Sequence, residues 1–542
     1  TAYDATEWVA FIDDTIKAHS NEIDDTNNTE RHAHAPLLSE ISSANDAANI
    51  RPGLHNIKLT KRTSNAWSNG YPDRSRNVKI LNNFSTSDKL DARKLEVKNG
   101  SILSITDNLL LVTNEVKITD TTDEIRLISS DNTNKAQLIQ THTSTSKVTG
   151  DGKLLIDQNS TAPSKYRYNY LSSPVNTIGQ TNFTVASVLK DGTKPLDATS
   201  TIGNGSTNIA KEITFVTGYD GDYTKSPIEI AEYWIYTYAA SADGKSNWLH
   251  KFKGETIAQT DGFLLKGPGS LNQNTKGQNY TFVGTPKDGT LTTTISAGDS
   301  YLVGNPYASA ISAKKFIQDN LDTTNGSLYF WEHAGEKASS NGSEGHNYGG
   351  YIGGYGVRNL SGGVAATSVS SNNTSDNGTP TLGTGSYTEP KAFIAIGQGF
   401  FINGDDAAST TIDNIQFNNS QREYIQEGND SYFFKSENKK LSAKTQGPQN
   451  TLSIIKLGMN YINDDNLPLH RQLLISFKNN NSFKFEKGYD SEIYDVRTTD
   501  FYWKFTNNEE KYVIAGVQNI SEDLEIPLEL LISNDRQVTI GI

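Results

Sequence analysis

Residues 95–119 read LEVKNGSILSITDNLLLVTNEVKIT. Apolar side chains at Leu95, Val97, Ile102, Ile105, Leu109, Leu111, Val116 and Ile118 recur in short alternating runs, broken by Asn99-Gly100 and Asp107-Asn108. A period of two belongs to strands, and Asn-Gly and Asp-Asn pairs tolerate the left-handed backbone of tight turns. Short strands with such regular punctuation suit two architectures. One is an antiparallel sandwich of hairpins, the other a parallel β-solenoid whose rungs each supply an inward face. The solenoid, or a solenoid-like sheet, is the preferred reading for residues 57–165.

On the N-terminal side the texture differs. Residues 21–56 are polar, with one short apolar cluster and no sustained period, as in a linker. Within residues 1–20, the run from Ala2 to Trp8, followed by Asp14-Thr15 and His19, resembles the closing strand of lamin-tail-like β domains in large bacterial surface proteins. The tail of such a domain is expected there.

From Tyr166 the strands become aromatic: KYRYNYLSSPVN, EYWIYTYAA (232–240), NWLHKF (247–252), YTFVGTP (280–286) and DSYLVGNPYASAI (299–311). One helix is expected over Ala313–Asn320, capped by Ser312, with Phe316 and Ile317 facing inward. Residues 335–390 carry almost no aliphatic core and read as a long surface loop inside a sandwich of residues 166–430. After a polar gap, LSIIKLGM, RQLLISF, DFYWKF, KYVIAGV and IPLELLIS suggest a C-terminal antiparallel sandwich of seven or so strands over 431–542. The expected fold class is therefore all-β: tandem β-sandwich domains, a solenoid-like β segment near the N-terminus and only short helices.

Composition agrees and narrows the function. With 542 residues the chain exceeds a single core, and three or four domains are expected. With 25 Tyr, 20 Phe and 44 Gly it favours sheets and turns. A net charge of −13 repels nucleic acid, which is not expected as a partner. The absence of cysteine removes disulfides, thiolate metal sites and cysteine nucleophiles. No apolar run reaches the roughly 18 residues of a membrane helix, so no membrane span is expected.

The segments Tyr168-Asn-Tyr-Leu-Ser-Ser-Pro-Val175, Tyr301-Leu-Val-Gly-Asn-Pro-Tyr-Ala-Ser-Ala-Ile311, Leu328-Tyr-Phe-Trp-Glu-His333, Ala395-Ile-Gly-Gln-Gly-Phe-Phe-Ile402 and Phe417-Asn-Asn-Ser-Gln-Arg422 follow one another in this order. The series resembles the region before the sorting domain of large type IX secretion cargo in gliding Flavobacteriia, a class of Bacteroidetes. Leu171 departs from the Trp usual in that family, and Ala308 from the Pro; both are packing changes. The resemblance implies an extracellular or cell-surface protein exported across the outer membrane. It also implies a sorting domain beyond Ile542, through which the translocon and an outer-membrane shuttle protein would be the partners. Thr1 and Ile542 are then expected to be internal to a longer chain. Read physically, Ser-Ser-Pro and Gly-Asn-Pro are turns, and Gly397 and Gly399 around Gln398 mark a bulge or a close backbone approach.

No nucleophile elbow, zinc-binding His-Glu-x-x-His or catalytic carboxylate pair is legible, so catalysis is not expected, nor a cofactor. His32 and His34, near Glu30, lie in the linker, where ligands are poorly preorganised. Tyr348, Tyr351 and Tyr355, carried among glycines, are the candidate ligand-binding residues, since tyrosines stack on sugars or pack at interfaces. Asp220 and Asp222 offer turn carboxylates suited to Ca²⁺. Thr15, Thr121 and Thr323 stand in Asp-Thr-Ile/Thr sequences of the kind O-glycosylated in that lineage. Two functions are consistent with these features: an adhesin-like or gliding-associated surface protein contacting glycans or other surface proteins, or the non-catalytic C-terminal region of a large secreted hydrolase.

Overall fold

Between Leu59 and Ser160 the chain runs as β1 (Leu59–Thr63), β2 (Ala66–Trp67), β3 (Asn77–Ile80), β4 (Phe84–Thr86), β5 (Leu90–Ala92), β6 (Lys94–Val97), β7 (Ile102–Thr106), β8 (Leu109–Val112), β9 (Val116–Ile118), β10 (Glu124–Ile128), β11 (Gln137–Gln140), β12 (Val148–Thr149) and β13 (Lys153–Ser160). The structure, a computed structural model, describes residues 59–63, 66–131, 133–160, 165, 167–192, 210–238, 247–269, 278–336, 351–367, 389–405, 412–428, 431, 452–462, 468–494, 496–505 and 509–542. The strands form three parallel faces, β1-β3-β6-β9-β12, β4-β7-β10-β13 and β5-β8-β11. This is a three-sided solenoid, and the hairpin alternative falls away.

In-register pairing stacks like on like. Val78, Leu95 and Val116 superpose, as do Ile105, Leu127 and Ile156, and Leu90, Leu110 and Leu138, all buried. The corners use the expected turns: Asn99, Gly100 and Asp107 take φ of 68°, 69° and 57°. Asp123, fully buried, accepts the Ser101 N–H (2.9 Å) and the Asp120 N–H (2.8 Å), tying one rung to the next. At the first rung Trp67 meets Phe84 edge-on at 5.2 Å, and the Arg62 guanidinium lies 4.7 Å over Phe84. These rings shield the open end of the apolar stack.

The other end is closed by the aromatic segment. Strand Gln278–Pro286 pairs antiparallel with β13, setting Phe282 against Ile156. On the β11 face, Leu138 N–H donates to Ala308 O (2.8 Å) and the Gln137 amide donates to Ile425 O (2.7 Å). One apolar core therefore continues from the solenoid into Leu171, Phe183, Phe263 and Phe282. A second joins Tyr170, Tyr329 and Phe401 to Leu473, Phe501 and Ile514 of the C-terminal segment. Cores thus cross both expected borders, 165/166 and 430/431.

Three sheets matter for the site. A four-stranded sheet runs Tyr168–Leu171, Phe263–Lys266, Tyr236–Tyr238, Trp248–His250. A five-stranded sheet runs Ser300–Gly304, Gly399–Asn403, Leu328–Glu336, Tyr351–Arg358, Gly363–Val364. The C-terminal sheet has seven strands, with Pro468–Phe477 and Tyr512–Val517 parallel where an all-antiparallel arrangement was expected. The helix is Ala313–Asp319, capped by Ser312 and burying Phe316 and Ile317.

A second correction concerns the glycine-rich part of the expected 335–390 loop. Tyr351–Arg358 is a strand paired with Leu328–Glu336. Glycine serves close approach here rather than looseness: a Cβ on Gly354 would come within 3.2 Å of Thr367 O, and one on Gly363 within 2.4 Å of Pro390 O.

The buried charges have measurable consequences. Asp288 and Arg422 are both fully buried, 3.7 Å apart, and Asp288 also meets His142 Nε2 (2.8 Å) and the Asn419 amide (2.9 Å). Removing one partner of such a pair leaves an uncompensated charge, so Asp288→Asn or Arg422→Met is expected to lower stability by about 3–5 kcal/mol in denaturant titration. Burial pushes Asp490 up to about 7 and Asp261 up to about 6. Both lie above the roughly 3.9 of an unfolded Asp, so their stabilising contribution is full below that value and lost as pH rises through 6–7. The unfolding temperature is expected to fall between pH 5 and 8, and Asp490→Asn to flatten that fall; an unchanged slope in the variant would refute the assignment.

Candidate binding surface

Alternation in the four-stranded sheet sorts its side chains. Leu171, Phe263 and Leu265 face the solenoid core, whereas Tyr168, Tyr170, Tyr236, Tyr238, Trp248 and His250 share the opposite face. Cross-strand pairing puts Tyr238 beside Trp248 and Tyr236 beside His250, with ring centroids 5.0 Å apart in each pair.

At one end this face packs on the five-stranded sheet. Phe401 receives Tyr238 at 4.8 Å, Tyr170 at 5.4 Å and Trp248 at 5.9 Å, while Tyr168 stacks on Trp331 at 5.5 Å and 8°. Tyr355 closes the cluster, 5.3 Å from Trp331, with its hydroxyl 3.3 Å from that of Tyr170. Burial, with Tyr355 and Tyr168 adding to it, holds the Tyr170 phenol well above its ordinary pKa, so it stays neutral.

Toward the other end cover thins. Tyr219, Tyr233, His250 and Phe252 follow one another at 4.8, 5.6 and 4.7 Å. Exposure reaches 37% at Trp248, 52% at Phe252 and 58% at Tyr219. The row is anchored at Tyr219: Trp234 Nε1 donates to Tyr219 O (2.7 Å), and Lys266 Nζ sits 3.6 Å from the Trp234 ring centroid. Rings held at fixed spacing with an open flank lose little entropy when a ligand docks.

Of the residues singled out in the sequence, Tyr355 belongs to this surface. Tyr351 opens its strand opposite Glu336, and Tyr348 and Thr15 lie outside the described residues. Asp220 and Asp222 follow Tyr219 in its turn. Asp220 pairs with Lys165 (3.1 Å), and Asp222 accepts the Thr224 hydroxyl (2.6 Å) and N–H (2.8 Å), which lowers its pKa. Among the described residues no three His, Cys, Asp or Glu side chains gather as metal ligands. Thr121 is exposed in a solenoid turn, whereas Thr323 is buried and its hydroxyl donates to Asn414 O (3.2 Å), so the folded chain does not offer it for glycosylation.

A hydrogen-bonded line escaped sequence reading: Ser144 Oγ lies 3.1 Å from His142 Nδ1, and His142 Nε2 lies 2.8 Å from Asp288 Oδ2. The pairing joins residues 146 positions apart, which no local pattern encodes. Asp288 answers the buried Arg422 and the Lys147 N–H (2.8 Å), so its charge is committed to the cap.

Fold and surface together define a multi-sheet, all-β protein in which a parallel solenoid is closed by an aromatic β segment. Residues 224–542, more than half of the chain, match a domain of unknown function (DUF8693), and the chain belongs to that family. The matched region takes in Tyr233, Trp248, His250 and Phe252 of the aromatic row, though not Tyr219, and the whole C-terminal sheet, across the 430/431 border that the second core also crosses. No curated protein and no solved structure is significantly similar to the chain.

The two ends of the aromatic face should differ in stability. Phe401→Ala removes a buried ring among four others and is expected to cost about 3–5 kcal/mol, whereas Phe252→Ala on the open flank should stay within about 0.5 kcal/mol. Equal losses in denaturant titration would contradict the described burial.

Proposed function

We propose that the chain is a secreted or surface-anchored, adhesin-like interaction protein, and that the open aromatic row is its contact surface for glycans on other surfaces. The observation that carries this reading is the row of partly exposed rings Tyr219, Tyr233, His250 and Phe252, with Trp248 beside it, of which Trp248 and His250 sit on an edge strand. Aromatic faces stack on the apolar faces of sugars at small entropic cost, and contiguous exposed rings otherwise burden a soluble surface. Export by the type IX route rests on the order of motifs between Tyr168 and Arg422, with the translocon and its shuttle protein as partners. A non-catalytic role is favoured because the Asp288 carboxylate beside His142 is occupied by Arg422.

The test is adhesion. Beads coated with the Trp248→Ala/Phe252→Ala protein should bind glycan-bearing surfaces at least about tenfold more weakly than wild type, each ring being worth roughly 1 kcal/mol. Unchanged adhesion with an unchanged circular-dichroism spectrum would remove the aromatic row from the reading. Fractionation of cells lacking the translocon should find the chain retained inside; normal export there would remove the secretion route.

A further inference from the structure

The three solenoid faces are used differently. On β5-β8-β11 the outward Leu109, Leu111 and Ile139 pack against Tyr424, and β4-β7-β10-β13 ends on strand Gln278–Pro286. The third face, β1-β3-β6-β9-β12, belongs to a sheet of solenoid strands alone. Its inward positions, Val78, Ile80, Leu95, Val97, Val116 and Ile118, are at most 1% exposed, so the alternate side chains point outward.

Those alternate side chains are mostly lysine. Register places Lys61, Lys79, Glu96 and Lys117 in one column, one to a rung. Lys94 and Lys98 stand on either side of Glu96, and Glu115 lies one rung on from Lys94. The acids are outnumbered even with every ion pair counted. Glu96 is shared by Lys79 (2.6 Å) and Lys117 (3.7 Å), and Glu115 meets Lys94 (3.5 Å). Burial pushes the Glu96 carboxyl up, but its bond to Lys79 and the charges of Lys79, Lys98 and Lys117 outweigh that and hold it below its ordinary value, so it stays ionised. Five lysines therefore face two carboxylates, a positive strip on a chain of net charge −13. The excess acts as a field, which needs no lysine to be without a partner.

Size selects among polyanions. Four rungs make the strip about 14 Å long, and Lys94 to Lys98 about 13 Å wide. One unbranched polysaccharide chain lies within those bounds, with successive acidic sugars falling near successive rungs. A nucleic-acid duplex or a membrane is wider and would also cover Asp120 and Asp151, exposed in the turns after β9 and β12, within a screening length of the strip. We propose that this strip docks a linear acidic polysaccharide, a chain of uronic acids. The proposal does not rest on the aromatic row, which lies on a different sheet.

The experiment is biosensor binding of the full chain to immobilised polygalacturonate, with neutral pullulan, duplex DNA and phosphatidylserine vesicles as comparison surfaces. Polygalacturonate is expected to bind in about 0.1 M salt and to release in about 1 M salt, where the screening length shrinks to about 3 Å. Lys61→Gln/Lys98→Gln/Lys117→Gln should weaken it at least about tenfold with an unchanged circular-dichroism spectrum. Lys225→Gln/Lys314→Gln/Lys484→Gln removes three exposed lysines elsewhere, alters net charge equally and should stay within about twofold of wild type. Trp248→Ala/Phe252→Ala should leave this binding unchanged, which separates it from adhesion through the aromatic row. Absence of polygalacturonate binding, a loss in the first triple variant no greater than in the second, or tighter binding to DNA or vesicles would overturn the proposal.

Discussion

A parallel solenoid cannot end by itself. Its last rung presents unpaired backbone groups on three sides and the top of an apolar stack, and both are costly in water or in a loose interior. Here the last rung is met by strand Gln278–Pro286, which pairs residue for residue from Leu154↔Gly284 to Ser160↔Gln278. Gly284 is required there, because a Cβ would fall 2.1 Å from Asn176 O on the strand that crosses it. The β11 face is closed by Ala308, Ala310 and the Arg422 guanidinium, which donates to Leu138 O. Everything downstream is arranged around that closure.

The motif order acquires a physical meaning from it. Asn305 donates to Ser309 O (2.8 Å) and Ala395 O (3.0 Å), Asn305 N–H donates to Gln398 O (2.9 Å), and Ser172 N–H donates to Gly397 O (2.7 Å). Tyr307 donates to Gly289 O (2.6 Å) beneath the Arg422 guanidinium, 4.8 Å from its ring centroid. Gly304 and Gly399 leave room for the strand Tyr168–Leu171 and the turn after it, since a Cβ on either would fall within 3 Å of Ser172 or Tyr170. Segments far apart in the chain thus meet in one plug. Their residue types serve turns, close approach and buried hydrogen bonds.

What was legible in the sequence follows from the range of the forces involved. Strand alternation, the Asn99-Gly100 turn and the Ser312 cap are local, and each is where the pattern places it. The glycines of Tyr351–Arg358 misled because glycine signals both looseness and tight approach, and only the neighbouring Ala366–Thr367 segment distinguishes them. The parallel pairing of Leu474 with Ile514 is likewise invisible, since two apolar strands carry no mark of their relative direction. Tyr355 was recognisable as an aromatic in a distinctive setting. Its partners Trp331, Tyr170 and Phe401 come from other strands, which no local pattern brings together.

The closure also explains where binding surfaces arise. A sheet that caps a solenoid must turn one apolar face toward it, here Leu171, Phe263 and Leu265, and its alternate side chains then point away. Those alternate positions hold Tyr168, Tyr170, Tyr236, Tyr238 and Trp248. The five-stranded sheet covers them only as far as Phe401 and Tyr355, so the uncovered remainder is aromatic by consequence of the fold. The same sheet meets the C-terminal sheet through small polar contacts, Ser327 with Ser491 (2.7 Å) and Ser361 with Ser476 (2.7 Å), so this second joint rests on hydrogen bonds as well as on the apolar burial that makes the first.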